Sequence, residues 1–315
     1  MSTATTAERF VGNLADFRYR EVLMTGATAA VLLGSVALFP GVENVSKGID
    51  GNLTAWQLAL FLLLPIAAGA IKGTIGFGYA LITTPIFATV IDPTMAVVVL
   101  AIPPWMINVF QVGETDTGLG YVRERWSLIL LALVGSIVGV FFLDTFSTHP
   151  VVPFLIGLLI LGYVLFEVVQ NFVTVEEAHN PLALGGVGLL EGFLLAAANL
   201  GPLLPAYLHT FERDTEQYVG GLSMVFTFVF TARIVQMALF TDLLTTYRLW
   251  LGCALAVVTL VGLFAGTYLR RAGVDEDRFN WLVVGLLFVI SLNIFYKTGP
   301  AVLNSIQNVA LTLGI

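Results

Sequence analysis

Charge is what this chain has least of: Asp, Glu, Lys and Arg make up 11% of its 315 residues, against roughly 25% in soluble domains. Lysine occurs three times, histidine three times and cysteine once. The lone thiol, Cys253, excludes an intrachain disulfide and most Cys-built metal sites. His149, His179 and His209 all fall at the edges of apolar windows or in loops, which argues against a haem carrier ligated from within its helices. The pattern His-Glu-x-x-His of an intramembrane zinc protease is missing. Glu212-Arg213-Asp214 is the nearest thing to the polar cluster of a membrane transferase, and a solvated loop explains it better. The expectation is therefore a protein that is not an enzyme and holds no metal and no cofactor. The net charge of −7 argues against nucleic acid as a partner.

What the chain has in excess is apolar length. Apolar residues make up 57% of it and the mean hydropathy is +0.91. Windows long enough to cross a bilayer, about 20 residues each, fall near 20–39, 58–90, 94–112, 126–143, 150–171, 182–210, 217–240, 247–270 and 278–297. This predicts an all-α, polytopic membrane protein of about nine apolar segments, with the lipid bilayer as its surroundings and no soluble module through which a sensor would signal. Two windows, 58–90 and 182–210, are too long for one straight span.

The first over-long window is the most informative. Lys72 is the only charge in the 33 positions from Leu58 to Val90, and Gly69, Gly73, Gly76 and Gly78 crowd around it, with Pro85 beyond. Four glycines make a poor continuous helix. In hydrocarbon every backbone N–H and C=O needs a partner, so a break is tolerated only under a cover of protein or beside a wet cavity. The window is expected to break and turn back. Lys72 lies 14 residues past Leu58, roughly 21 Å of helical rise, so it does not easily snorkel to that interface. An ionisable group at such depth is a functional-site candidate.

Counting Lys and Arg fixes an orientation, because cytoplasmic loops carry the excess. If both over-long windows turn back, nine fall inside and three outside; if both cross fully, the tally is seven against five. The re-entrant arrangement gives the larger asymmetry. It places the N-terminus in the cytoplasm of a multi-pass protein of the cell (inner or plasma) membrane, with the first apolar window too far from Met1 for a secretory signal. It also gives 58–171 and 182–297 opposite topologies. The two stretches match weakly: Gly69-Ala-Ile-Lys72-Gly73 with Gly188-Leu-Leu-Glu191-Gly192 at an offset of 119, and Asn108-Val-Phe-Gln111 with Arg233-Ile-Val-Gln236 at an offset of 125. Inverted repeats with interrupted helices in matching positions point to the binding site of a secondary transporter. The expected organisation is an arm, extra helix and loop at 1–57, a first repeat at 58–171, a linker at 172–181, a second repeat at 182–297 and a short tail at 298–315.

The run from Gly69 to Ala88, Gly-Ala-Ile-Lys-Gly-Thr-Ile-Gly-Phe-Gly-Tyr-Ala-Leu-Ile-Thr-Thr-Pro-Ile-Phe-Ala, followed by Asp92-Pro93 and an Ala/Val-rich stretch that leads to Asn108, resembles the sulfite exporter TauE/SafE family, also called the toluene sulfonate uptake permeases. The resemblance covers about residues 58–297 and leaves out the helix at 22–39. The second half departs from it, with Ala196-Ala-Ala-Asn199-Leu-Gly201-Pro202 where many members repeat a glycine-rich break. The resemblance implies a permease for small sulfur-containing anions such as sulfite, sulfonates and sulfoacetate.

Read residue by residue, the substrate site is expected at Lys72, Gly73, Thr74, Gly76, Gly78, Asn108, Gln111, Asn199, Gly201, Arg233 and Gln236. A half-helix after each break would offer backbone N–H groups to an anion, with Thr74, Thr83 and Thr84 adding hydroxyls. Lys72 either serves the substrate or pairs with Glu191, its counterpart in the second half; the two roles are compatible. Glu191, about nine residues from Leu182 and near mid-bilayer, is the candidate proton carrier. Arg233, about seven residues from the end of its window, either grips an oxyanion with its fork of donors, or snorkels to the outer interface or pairs with helix carbonyls. Asn108 and Gln111 act on substrate or as interhelical glue. The glycines either open the chain or let helices pack closely, the latter being the reading for Gly135 and Gly139. An anion channel on the same elements is the alternative to a carrier, and a homo-oligomer is compatible with either.

Overall fold

The computed structural model describes residues 6–46, 54–147, 151–170, 181–209, 214–271 and, in pieces, 284–304. The linker expected at 172–181, apart from its last residue, most of the tail, the stretch Thr210–Arg213, and His149, His179, Lys47 and Arg278 lie outside the described residues. Within them every regular element is a helix and there is no strand. Six helices are long and apolar enough to cross a membrane: Tyr19–Ala37, Ala55–Ile75, Pro93–Glu114, Trp126–Thr145, Thr215–Phe240 and Thr246–Arg270. Shorter apolar helices lie at Val152–Gly162 and Gly185–Ala198. The protein is all-α and polytopic.

Two N-terminal helices lead in, a short α1 (Thr6–Ala15) and the longer α2 (Tyr19–Ala37). The first broken pair is α3 (Ala55–Ile75) and α4 (Tyr79–Phe87), followed by α5 (Pro93–Val99), α6 (Ile102–Glu114), α7 (Leu119–Glu124), α8 (Trp126–Thr145) and α9 (Val151–Gln170). The second is α10 (Pro181–Ala198) and α11 (Leu203–His209), followed by α12 (Thr215–Phe240) and α13 (Thr246–Arg271). Local sequence sets several starts. Thr54 and Gln57 form a reciprocal capping box at α3. Asp92 accepts from the Met95 N–H with Pro93 at the first helical position, and Asp214 accepts from the Gln217 N–H at α12.

Both over-long windows turn back on themselves. Gly78 lies against the side chains of Ile71 and Ile75, and the Phe87 ring, at the far end of α4, meets Phe61 at 4.8 Å. So α4 returns alongside α3. In the second window Gly201 backs onto the Leu195 side chain, and the Leu203 N–H donates to Glu191 one helical stretch earlier.

The broken helices pack through glycine, each against a helix from the other half. Gly69 and Gly73 of α3 face α13, where an added Cβ would sit 2.7 Å from the Thr259 and Leu263 carbonyl oxygens respectively. Gly262 and Gly266 of α13 press back on the backbone of Ile66 and Ala70. The second half repeats this arrangement: Gly188 and Gly192 of α10 press on Leu128 and Ala132 of α8, and Gly135 and Gly139 of α8 on Leu189 and Phe193. The spacings correspond, 119 between the α3 and α10 glycines and 127 between the α8 and α13 glycines. Glycine lets these backbones touch, and in lipid such close packing is a main source of helix association.

The bundle therefore has two ends. At one, Gly113 rests on the Arg20 carbonyl and Met24, Gly220 on Thr115 and Thr117, and Arg270 pairs with Glu114; this is called the Arg270 face. At the other, the Thr54 face, Trp250 donates to the Ser35 carbonyl, Tyr247 to that of Val45, and Thr94 to that of Ser147. Helix α2 lies against α6 and α13, its Gly34 touching Cys253.

Candidate functional site

The first break is built by two glycines with left-handed backbone. Gly76 (φ +85°) ends α3 with its N–H on the Lys72 carbonyl, and Gly78 (φ +98°) opens α4. Any other residue would be strained at either position, and a Cβ on Gly76 would also meet Val219 at 2.6 Å. The start of α4 has no side-chain cap. Its first N–H groups, at Tyr79, Ala80 and Leu81, carry the partial positive charge of a helix N-terminus.

Lys72 is 2% exposed. Its ammonium donates to the Gly76 carbonyl at 2.6 Å and sits 5.6 Å from the centre of the Phe226 ring. A cation at a helix C-terminus and over an aromatic face is electrostatically favoured. Of the two roles open to Lys72, the pair with Glu191 is not formed: Glu191 Oε2 accepts from the Leu203 N–H at 3.0 Å. Each charge is met by the backbone of its own break, which is closer than the opposite half. Glu191 Oε1 has no hydrogen-bond partner and faces Gly201.

Lys72, the α4 start from Gly78 to Leu81, Asn108 and Gly201 share a cavity of about 30 Å³, walled by Phe226 and Phe230. That is room for roughly one or two waters. Asn108 is fully buried, yet neither its amide nitrogen nor its oxygen has a hydrogen-bond partner. Leaving such a group unpaired costs about 1–3 kcal/mol, and a ligand with both kinds of polar atom, or water, would recover that. An ammonium, an uncapped helix start and an unpaired amide thus converge on one small space.

The other expected residues are placed elsewhere. Gln111 joins three helices, donating to the Lys72 carbonyl at 3.3 Å and accepting from Ser223 at 3.1 Å. Thr74 donates within α3 to Ala70 and lies 3.3 Å from the Gly266 carbonyl. Gly73 is at the α3–α13 crossing. Thr83 bonds back to Tyr79 of its own helix. Gln236 is half-buried with an unpartnered Oε1 and does not line the cavity.

Arg233, fully buried, gives one arm to Asn199 Oδ1 at 2.6 Å and the other to the Val97 carbonyl at 2.8 Å. Asn199 in turn donates to Thr84 and to the Leu100 carbonyl, both at 3.0 Å. Its φ of +57° marks the second break. This network ties the second break to α4 and α5 of the first half, and it stands beside the cavity without lining it. Of the expected residues, the cavity gathers Lys72, Gly78, Asn108 and Gly201. Sequence reasoning missed the Phe226 and Phe230 walls, because two more aromatics in an apolar window carry no signal. It also missed the pair Glu114–Arg270, whose members sit at window edges where charge is ordinary.

No curated protein and no solved structure matches the chain. The family model described as Sulfite exporter TauE/SafE matches residues 58–294, which include both breaks, the cavity and its walls. Three quarters of the sequence thus fits a family of membrane transporters, and the chain belongs to the TauE/SafE sulfite exporter family.

Proposed function

We propose that this protein is a secondary carrier that exports small sulfur-containing anions, sulfite first and sulfonates or sulfoacetate-like anions next, by alternating access. The observation that carries the proposal is the buried, unpartnered Asn108 facing the same cavity as Lys72 and the uncapped start of α4. An oxyanion there would accept from the Asn108 amide, the Lys72 ammonium and the α4 N–H groups. Lys72 would exchange the Gly76 carbonyl for the anion, so binding would loosen the end of α3. The small volume favours a carrier over an open channel, because a continuous wet pore needs far more room.

Glu191 serves as the proton site: its unpartnered Oε1 lies at the second break, beside Gly201 of the cavity. The Arg270 face is cytoplasmic, since the arm Arg residues, Arg123, Arg125 and Arg270 lie on the segments that end toward it.

The test is uptake of labelled sulfite and a small sulfonate into proteoliposomes, with and without an imposed pH gradient, for the wild type and Lys72→Ala. Saturable, gradient-driven uptake that disappears in Lys72→Ala is expected. Flux that never saturates and ignores the gradient would replace the carrier by an anion channel. No flux of either anion would sink the substrate class.

A further inference from the structure

At the Arg270 face lies a second set of donors that the cavity does not include. Gln111 holds the Lys72 carbonyl, and Glu114 follows it by one turn on α6. Gly73, next to Lys72, rests on the backbone of Thr267, and Arg270 follows by one turn on α13. The two helices bring Glu114 and Arg270 together beneath Lys72, with Glu114 Oε1 2.8 Å from one arm of the guanidinium and side chains only 3% and 9% exposed. The other terminal nitrogen of Arg270 is buried with no acceptor, and so is the Thr267 hydroxyl.

A guanidinium fork with one arm engaged and one idle, beside an idle hydroxyl, has the donors for a second acceptor-rich group. We propose that Arg270 and Thr267 form a second oxyanion station at the Arg270 face, on the way from the cavity to that end of the bundle, and that the Glu114 carboxylate is its resident stand-in, displaced by a passing anion. The proposal rests on the carrier reading and adds to it a relay. The anion would pass from one cation to the next without ever being left bare in a low-dielectric path, and the path would close behind it when Glu114 returns to Arg270.

The test uses the full-length protein in detergent and reads the sulfite concentration that half-maximally raises its thermal stability, in a Lys72→Ala background that removes the cavity's cation. Glu114→Gln, which takes away the competing carboxylate, is expected to lower that concentration about tenfold. Adding Arg270→Gln should abolish the response, and Arg270→Lys should keep only part of it, because an ammonium retains the charge and loses the fork. The same sulfite response with Arg270 present or replaced overturns the station. If Arg270→Gln does not fold, an unchanged half-effect concentration in Arg270→Lys overturns it instead. Sulfite flux through wild-type proteoliposomes is measured alongside. A response that depends on Arg270 without flux upholds the station and overturns the carrier, and flux without such a response does the reverse.

Discussion

Asn199 is where the two halves depend on each other most, and its replacement gives a worked prediction. Its amide nitrogen donates to Thr84 and to the Leu100 carbonyl, and its oxygen accepts from Arg233. Asn199→Ala strips all three bonds. It leaves Arg233 with an idle arm in addition to its already unpartnered Nε. Orphaning the charged donor costs about 2–3 kcal/mol and the two neutral bonds about 1 kcal/mol each. Forcing Ala into a left-handed backbone adds about 1 kcal/mol. Interhelical bonds in bilayers fall toward the low end of such values, so the expected total is about 4 kcal/mol, close to a thousandfold in the folded-to-unfolded ratio. Asn199→Gly loses the same bonds but not the backbone term, so it should be milder by about 1 kcal/mol. Asn199→Asp keeps an acceptor for Arg233, now charged, and should be milder than Ala as well. Equilibrium unfolding in mixed micelles measures all three. A cost below about 1 kcal/mol for Ala, or Gly more damaging than Ala, would refute the account of this network.

Other expectations follow from single contacts. Gly192→Leu drives a side chain into the backbone of Ala132 and should abolish folded yield in size-exclusion profiles, while Gly186→Leu on the same helix, with open space around it, should be neutral within about 0.5 kcal/mol. Gly78→Ala strains the start of α4 by about 1–2 kcal/mol, and should raise the KM for sulfite by more than the melting temperature alone would account for. Lys72→Arg should retain folding but lose most transport, since a guanidinium has no room between the Gly76 carbonyl and Phe226; purified yield and proteoliposome uptake check the two parts. Glu191→Gln still accepts from the Leu203 N–H yet carries no titratable proton, so it should abolish gradient-driven uptake and spare sulfite counterflow.

The breaks were legible because they rest on composition: four glycines and a proline within one apolar window leave few alternatives to an interrupted helix. The individual roles were much less legible. Gly73 and Thr74 sit in the same run as Gly78, but they point at α13 and only Gly78 reaches the cavity. Which face a helix turns to which neighbour depends on partners 190 residues away, and a local pattern does not contain that. Asn108 and Arg233 occupy matching positions of the two halves, yet one faces the cavity and the other is bound to Asn199. A weak repeat in sequence does not fix equivalent surroundings. Of the two roles open to Lys72, the pairing with Glu191 is not seen, for the same reason. The contact that did form, Lys72 with the carbonyl four residues on, is implicit in a lysine placed one turn before a glycine C-cap.

Those two charges also distinguish the two breaks, the second of which lacks the first one's glycines. A broken helix exposes carbonyls where its first arm ends and N–H groups where its second arm begins. The first half sets a cation on the carbonyl side, at Gly76, and leaves the N–H groups of α4 uncapped. The second half sets a carboxylate on the N–H side, at Leu203, and so fills that helix start with an anion of its own. On the proposed reading the two breaks therefore differ in what they would receive: the first would be open to a foreign anion, and the second would not while Glu191 stays ionised and in place. Exchanging the charges between positions 72 and 191 would be expected to move the open helix start from α4 to α11. It would not create two anion sites, because the number of open starts is set by which side of each break its charge covers.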